Sequence, residues 1–408
     1  MIYFSKKLLV IFGFFLFSNL LKAQQTDINP LLLKNYWDAQ WITCPDVPAR
    51  AYGVYHFRKT ISLSEVPKQF IIHVTADNRY RLFVNGKVVG RGPARGDLYN
   101  WNFETYDIAP YLQKGKNVIA AIVWNMGEFA PVAQISNQTG FLLLGDNETE
   151  KIINTNSSWK VLHDTAYTPC AINMGAVLHS YFVVEPGDEV HANSYPWGWE
   201  QTSYEEKNWK DAKSVNAAAV PFGYGSDNVW TLTPSRIPQM AEKLQLLFFI
   251  RRSGNIVVAD TFIKAHHPLL IPAHSSVKIL LDQSYETTAY PELIVSKGKG
   301  ATVKLIYAEA LVDSKDQKGN RNDIAGKTIK GLFDIFYPDG GNQRKFMPLW
   351  FRTYRYLQIE VQTKNEPLLI NDLYGYYTGY PFHQVSTFSF TRYLLSVVMI
   401  PLYKRYGM

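Results

Sequence analysis

A tight turn predicted at Asn85-Gly86 constrains the fold of this 408-residue chain more than any other feature of its sequence. The run before it, Arg79-Tyr-Arg-Leu-Phe-Val84, alternates between two sets of side chains with a period of two, which indicates a half-buried β-strand. Asn-Gly is the dipeptide that best tolerates positive φ at both centres of a type I′ turn. Val88-Val89 start the return strand, and the glycines and proline of residues 90–93 end it. We therefore predict a β-hairpin that runs into a loop rich in Gly, Pro and Arg.

Short alternating or apolar runs, separated by turn residues, continue through most of the chain. Residues 54–61 alternate cleanly, residues 117–124 form a near-continuous apolar run, and a second β-rich block begins near Leu244. Capped segments with a helical period are scarce. The sequence therefore predicts an all-β fold of two consecutive β-sandwich domains, the first of them jelly-roll-like.

Changes in composition divide the chain into four segments. Residues 1–23 contain a charged Lys6-Lys7 pair, an apolar run and a small residue at a plausible cleavage point, as secretory signal peptides do. We place the first sandwich at residues 24–240 and the second at 241–385, and residues 386–408 change abruptly to an apolar texture. The N-terminal apolar run is too short and interrupted to span a bilayer. We therefore expect an exported protein, periplasmic or extracellular, with no membrane span once the signal is removed.

Composition excludes several classes of partner. The net charge is +7, but the Lys and Arg residues are scattered and follow no nucleic-acid motif, so we expect no nucleic-acid partner. Aromatic residues make up 14% of the chain, which suits sandwich cores and, for some of them, platforms for sugar rings. Cys44 and Cys170 are too few for a disulfide framework, and whether they pair is left open. Their spacing also gives no zinc site.

Several carboxylates could support hydrolysis, but none of them lies in a recognisable acid/base signature. Hydrolysis of a glycoside ordinarily needs two, one of them a proton donor. Glu309 lies within a predicted strand, where a structural arginine partner is the expected role, and Asp339-Gly-Gly341 is a turn sequence. The long polar insertion Asp313–Lys330 is expected on the surface. The candidates in the second block are Glu309, Asp313, Asp323, Asp334 and Asp339.

Three polar residues lie at the ends of predicted strands in the first block. Asp77 and Asn78 open the hairpin strand, and Asn125 ends the apolar strand that follows. Carboxylate and amide oxygens are ligands that hard cations such as calcium prefer. A short Asp-Asn pair is also common in plain turns, so spacing alone leaves both readings open.

Several blocks of the chain, in the same order, resemble bacterial α-L-rhamnosidases. Their likeness covers nearly all of the chain after the predicted signal. The first group resembles the N-terminal region of that family: Trp37–Ile42, Thr75–Gly86, Arg91–Asp97, Glu104–Ile108 and Tyr111–Asn117. The second group resembles its concanavalin-like β-domain: Tyr307–Leu311, Gly319–Asn322, Asp339–Gly341, Pro348–Tyr356 and Tyr380–Phe382.

The resemblance implies an exported enzyme that removes terminal α-L-rhamnose from glycosides with inversion. In that family the catalytic acid and base belong to an (α/α)6 barrel after the second β-domain, and residues 386–408 are expected to be only its truncated start. No residue here inherits a catalytic role, so we expect an inactive accessory portion. The resemblance also implies that Asp77, Asn78 and Asn125, with backbone oxygen near Pro131, bind Ca²⁺ and through it L-rhamnose.

Two alternatives stay open at this point. The chain could be a stand-alone, lectin-like protein that binds rhamnose without cleaving it. It could instead be an independent hydrolase that uses a carboxylate pair within the two β-domains. In every case the expected partners are rhamnose-containing glycans or glycosides.

Overall fold

The computed structural model describes residues 28–34, 36–170, 184–218 and 229–382. The predicted signal peptide, residues 1–23, and the segment 386–408 lie outside the described residues. Within these ranges the chain is built from strands, with one α-helix, α1 (Thr261–Lys264), and four short 3₁₀ segments. Those segments are Pro30–Leu33, Ala109–Tyr111, Gly127–Phe129 and Glu150–Ile153. The predicted all-β fold is confirmed.

Two six-stranded sheets come from residues 37–218, with one strand added from residues 232–234. The outer sheet has the spatial order β13 (Lys213–Ala218), β1 (Trp37–Thr43), β8 (Gly140–Gly145), β3 (Ile71–Asp77), β6 (Trp101–Asp107) and β14 (Leu232–Pro234). The inner sheet has the order β12 (Lys210–Asp211), β9 (Lys160–His163), β2 (Gly53–Leu63), β7 (Gly115–Asn125), β4 (Arg79–Val84) and β5 (Lys87–Gly92).

A third sheet of eleven strands, here called the large sheet, takes up most of the second half of the chain. Its main path is β10 (Tyr167–Cys170), β11 (Gly187–His191), β20 (Phe333–Tyr337), β19 (Thr302–Ala308), β22 (Arg352–Gln362), β18 (Ser276–Lys297), β23 (Leu368–Gly379) and β15 (Ala241–Gln245). Three further strands pair beside this path: β16 (Phe249–Arg252), β17 (Leu269–Ile271) and β21 (Arg344–Phe346).

Strands from both halves of the chain join in the large sheet. β10 and β11 come from the first half, and β11 pairs in parallel with β20. A buried ion cluster holds the same junction: the Arg352 guanidinium contacts the carboxylates of Asp334 and Asp188. Arg352 donates through Nε to Asp334 Oδ2 at 3.0 Å. The two halves are therefore connected by backbone pairing as well as by side chains.

The hairpin at Asn85-Gly86 forms as predicted. Asn85 and Gly86 have φ values of 51° and 79°, the positive values that a type I′ turn requires. β4 and β5 pair antiparallel on either side of it, with a register shift after Leu82 that marks a β-bulge. Asn85 also donates through Nδ2 to Asn117 Oδ1 at 2.8 Å, which fixes the turn against β7.

The central strands of the inner sheet, β2, β7 and β4, are largely buried on both faces. One face, with Tyr80, Leu82 and Val84 of β4, shares a core with the outer sheet. The opposite face, which includes Phe83 and Trp124, packs against the large sheet. The prediction that β4 is half-buried is therefore wrong, because its second face meets another layer of protein and not solvent.

The polar insertion 313–330 covers part of the large sheet. Ile324 and Ile329 pack on a small buried cluster that includes Leu311, and the hydroxyl of Tyr356 donates to the backbone oxygen of Arg321 at 2.7 Å. The insertion thus contributes apolar contacts as well as a solvated surface.

The two cysteines are free. Both Cys44 and Cys170 are buried, so the pairing question left open by the sequence is settled as unpaired in this structure. Burial raises the pKa of Cys44 to about 11 and that of Cys170 to about 12, which disfavours the reactive thiolate. Among the described residues, none of the helices has the length and apolar character that a membrane crossing requires.

Candidate functional site

The first polar site lies where β3 ends at Asp77. Its carboxylate is fully buried and accepts five hydrogen bonds from the protein. Oδ1 accepts from Ser136 Oγ at 2.7 Å and from Asn78 Nδ2 at 2.6 Å. Oδ2 accepts from Trp230 Nε1 at 2.9 Å and from the backbone N–H of Asn137 at 2.7 Å. Burial raises the pKa of Asp77, and these donors oppose that shift.

The two predicted amide ligands belong to the same network. Asn78 Oδ1 accepts from the backbone N–H of Met126 at 2.9 Å, and Asn125 Oδ1 accepts from that of Gly127 at 2.9 Å. The backbone oxygen of Pro131, the further predicted ligand, accepts from the N–H of Gln134 at 2.8 Å. The structure therefore brings the predicted residues together, but it does so by hydrogen bonds between them and their neighbours.

This arrangement does not fit a calcium site as it stands. Every oxygen predicted to bind the cation already accepts a hydrogen bond from the protein, so an ion would have to displace several buried donors. The part of the chain that the structure describes also contains no group of three or more His, Cys, Asp or Glu side chains that could hold a metal. Calcium binding at Asp77, Asn78 and Asn125 stays a prediction, and no function is derived from it below.

A second polar site is a cavity of about 510 Å³ between the inner sheet and the large sheet. Its floor includes Arg81 and Phe83 of β4 and Arg91 of β5, and residues of the large sheet face them. A connection after β11 supplies aromatic side chains to the wall. The residues lining the cavity are Arg81, Phe83, Gly86, Val88, Arg91, Tyr167, Val190, Tyr195, Trp197, Gly198, Trp199, Glu200, Glu242, Glu292, Phe336, Gln343, Lys345, Phe346, Met347 and Tyr376.

The aromatic wall is held by hydrogen bonds and ring contacts. Trp197 donates through Nε1 to the backbone oxygen of Ala192 at 2.8 Å, and Trp199 donates to the Tyr195 hydroxyl at 3.0 Å. The rings of Tyr195 and Trp197 are 4.6 Å apart between centroids, and Arg344 lies over Trp197 at 4.5 Å. Ordered aromatic rings beside a cavity suit the apolar faces of sugar rings.

The polar groups of the cavity are unevenly paired. Arg91 donates through Nε to Glu242 at 2.6 Å, and Glu292 accepts from the Tyr374 hydroxyl at 2.5 Å. Arg81, in contrast, has no carboxylate within 4.0 Å among the described residues, and its Nη1 donates only to the sulfur of Met347 at 3.1 Å. Its Nε is buried without an acceptor, as is Nη1 of Arg91.

The carboxylates considered for hydrolysis do not form a catalytic pair. Glu309 pairs with Lys318 at 2.9 Å and Arg321 at 3.7 Å, in agreement with the structural role expected for it. Asp339 accepts from the N–H of Gly341 at 2.8 Å within its predicted turn and pairs with Arg344. The remaining three are also accounted for: Asp334 is in the buried cluster with Arg352, Asp313 accepts backbone hydrogen bonds in a turn, and Asp323 is exposed.

Sequence reasoning missed the residues of the cavity. The sequence indicated only that Arg81 and Arg91 belong to a hairpin. The aromatic residues of segment 195–199 contributed only to the high overall aromatic content. The one available signal was the charge on alternate positions of β4, in a strand whose other features are those of a buried one.

Comparison with known proteins finds a family similarity for one segment of the chain. Residues 65–222 match the family model of the α-L-rhamnosidase N-terminal domain. This segment is similar to the N-terminal domain of α-L-rhamnosidases. More than half of the residues that line the cavity belong to this matched segment. No curated protein sequence matches the chain.

Solved rhamnosidases share the fold. The structure matches a GH78 family rhamnosidase of Bacillus sp. GL1 with a TM-score of 0.72 and 13% identity, over 88% of this chain and 57% of that one. An α-L-rhamnosidase from Aspergillus terreus matches with a TM-score of 0.59 and 18% identity, over 88% of this chain and 38% of that one. A Streptomyces avermitilis α-L-rhamnosidase complexed with L-rhamnose matches with a TM-score of 0.50 and 18% identity, over 79% of this chain and 29% of that one. The resemblance to rhamnosidases is confirmed, and the chain spans little more than half the length of the Bacillus enzyme.

Proposed function

We propose that this chain provides the carbohydrate-binding β-region of an exported α-L-rhamnosidase and binds rhamnose-containing glycans without cleaving them. The observation that carries this proposal is the cavity between the inner and large sheets, lined mostly from the rhamnosidase segment 65–222. Export is proposed from the charged and apolar pattern of residues 1–23.

The size and lining of the cavity support a sugar as its occupant. A volume of about 510 Å³ lies within the range of roughly 300–1,000 Å³ that is usual for small-molecule sites. Aromatic side chains such as Tyr195 and Trp197 supply apolar surface, and Arg81 and Arg91 supply hydrogen-bond donors without acceptors. A sugar presents both an apolar ring face and many oxygen acceptors, so it matches both kinds of surface.

The absence of cleavage is proposed from the state of the acidic side chains. Of the three acids that line the cavity, Glu242 is held by Arg91 and Glu292 by the Tyr374 hydroxyl. The third, Glu200, accepts from the side-chain amide of Gln201 at 3.2 Å. A glycosidase acid must be free to donate its proton to the leaving oxygen, and its partner must be free to activate water or attack the sugar. Because the acids of the cavity already have hydrogen-bond partners, the described part of the cavity contains no free pair of carboxyl groups for catalysis.

Binding and cleavage can be measured on the same protein. Calorimetric titration of the full chain with methyl α-L-rhamnoside should show weak, saturable binding, and an aryl α-L-rhamnoside should release no phenol. Trp197→Ala should lower affinity by about tenfold through loss of stacking area. Tyr99→Ala, at a side chain that is 70% exposed and away from the cavity lining, is the matched control and should bind as the parent does.

Two results would overturn the proposal. Absence of rhamnoside binding would leave the cavity without its proposed ligand. Phenol release that is lost in Glu242→Gln or Glu292→Gln would instead make the chain an independent hydrolase.

A further inference from the structure

We propose that the cavity selects a sugar that carries a carboxylate, and that Arg81 and Arg91 bind this group. The inference rests on the proposed function, because it names the chemical class of glycan that the same cavity would take. It predicts recognition of a uronate unit next to rhamnose.

The two guanidinium groups converge on one point of the cavity. Arg81 and Arg91 are directly paired across β4 and β5, so their side chains leave the hairpin on the same face. Arg81 Nη1 and Arg91 Nη2 both donate to the sulfur of Met347, at 3.1 and 3.5 Å. A thioether sulfur is a weak acceptor. Two charged donors therefore share an acceptor much poorer than an oxygen.

Further donors of the same two side chains have no acceptor. Arg81 Nε and Arg91 Nη1 are buried and unpaired. Burial, together with the nearby charge of Arg91, lowers the pKa of Arg81. Keeping the Arg81 side chain charged in the folded protein therefore costs free energy. An anionic group placed between the two arginines would supply acceptors and offset the repulsion between them.

A carboxylate fits this place better than a neutral hydroxyl or a dianion. Its two coplanar oxygens match the fork of a guanidinium group, which a single hydroxyl oxygen does not. Glu200, Glu242 and Glu292 also line the cavity, so a doubly charged phosphate would meet more repulsion than a singly charged carboxylate. The aromatic wall beside the arginines would accept the ring that carries the carboxylate.

The test compares two ligands that differ in a single charge. The full chain is titrated with an α-L-rhamnosyl glucuronate disaccharide and with its methyl ester. The free acid should bind at least about tenfold more tightly than the ester, since hydrogen bonds to charged groups are worth about 1.5–3 kcal/mol. In Arg81→Met this preference should disappear while the ester still binds. Arg95→Met, at an exposed arginine in the loop that follows β5, is the control and should keep the preference.

The possible results separate this inference from the proposed function. Equal binding of acid and ester by the parent protein would overturn the inference and leave the proposed function standing. Failure of both ligands to bind would overturn both. A preference that survives in Arg81→Met would overturn the role given to Arg81. If Arg81→Met does not fold, judged by circular dichroism, Arg81→Gln is used and the same loss of preference is required.

Discussion

Two buried polar sites begin within a few residues of each other in the sequence, one at the end of β3 in the outer sheet and one on β4 and β5 of the inner sheet. They differ in how their hydrogen bonds are satisfied. At the end of β3, both carboxylate oxygens of Asp77 are filled by protein donors, including Ser136 and Trp230. On β4 and β5, Arg81 and Arg91 share the sulfur of Met347 and keep buried N–H groups without acceptors. In the first site every carboxylate oxygen has a protein donor, whereas in the second site donors beside a cavity have no acceptor.

The difference distinguishes a structural site from the proposed binding site. Nearly all buried polar groups in folded proteins have partners, so a complete network such as that of Asp77 needs no ligand to explain it. Isolated unpaired atoms also occur elsewhere, as at Trp41 Nε1, which is not among the cavity residues. Unpaired donors on two adjacent cations beside a cavity of about 510 Å³ are the combination on which the proposed binding site rests.

The largest effect on stability is expected when the hydrogen-bond network of Asp77 is disrupted. Asp77→Ala leaves the donors of Ser136, Asn137 and Trp230 buried without an acceptor. Each such donor costs about 1–3 kcal/mol, so the free energy of unfolding should fall by roughly 3 kcal/mol or more in urea denaturation. Asp38→Ala, at an exposed ion pair with Lys151, should change it by at most about 1 kcal/mol. A loss as small in Asp77→Ala as in the control would show that the network is not structural.

A smaller effect is expected from a buried acid with one unpaired oxygen. Glu185 accepts from Trp124 Nε1 through Oε2, its Oε1 has no partner, and burial raises its pKa to about 7. The folded state then binds more protons than the unfolded state between about pH 4.5 and 7, so stability falls as pH rises through this window. Glu185→Gln should reduce that fall by on the order of 2 kcal/mol.

The measurement is the free energy of unfolding of parent and Glu185→Gln at pH 5 and pH 8. Asp188, whose pKa burial also raises to about 7, should keep part of the slope in the variant. An identical difference between the two pH values in both proteins would mean that Glu185 titrates in the folded state as it does in the unfolded state.

The smallest effect is expected from calcium. Because the oxygens of Asp77, Asn78 and Asn125 are occupied by protein donors, millimolar calcium or a chelator should shift the melting temperature by less than about 1 °C. Differential scanning calorimetry of the full chain measures this directly. A rise of several degrees with calcium, lost in Asp77→Ala, would show that the network opens to bind the ion as the family resemblance implies.

Local rules predicted the fold well where the backbone alone decides. The Asn85-Gly86 turn and its hairpin depend on φ values that few dipeptides tolerate, so the sequence identifies them directly. The alternation of residues along β4 also correctly predicted which side chains lie on each of its two faces. It could not show that the second face is covered by the large sheet, because that contact joins residues more than 200 positions apart, such as Arg81 and Met347.

The site was predicted less well for the same reason. Asp77, Asn78 and Asn125 do lie together, since Asp77 ends β3, Asn78 joins β3 to β4, and Asn125 ends β7. Their hydrogen-bond partners, such as Trp230, come from distant parts of the chain and decide whether oxygens stay free for a ligand. The cavity combines β4, β5, the connection after β11 and the large sheet, so no local motif marks it.

The most direct test of the contrast between the two sites is a crystal structure of the chain with the rhamnosyl glucuronate bound. The sugar should occupy the cavity between the inner and large sheets, with its carboxylate on Arg81 and Arg91 and its ring against the aromatic wall. The Asp77 network should be unchanged. A sugar bound through a cation at Asp77, with only solvent in the cavity, would contradict the assignment of both sites.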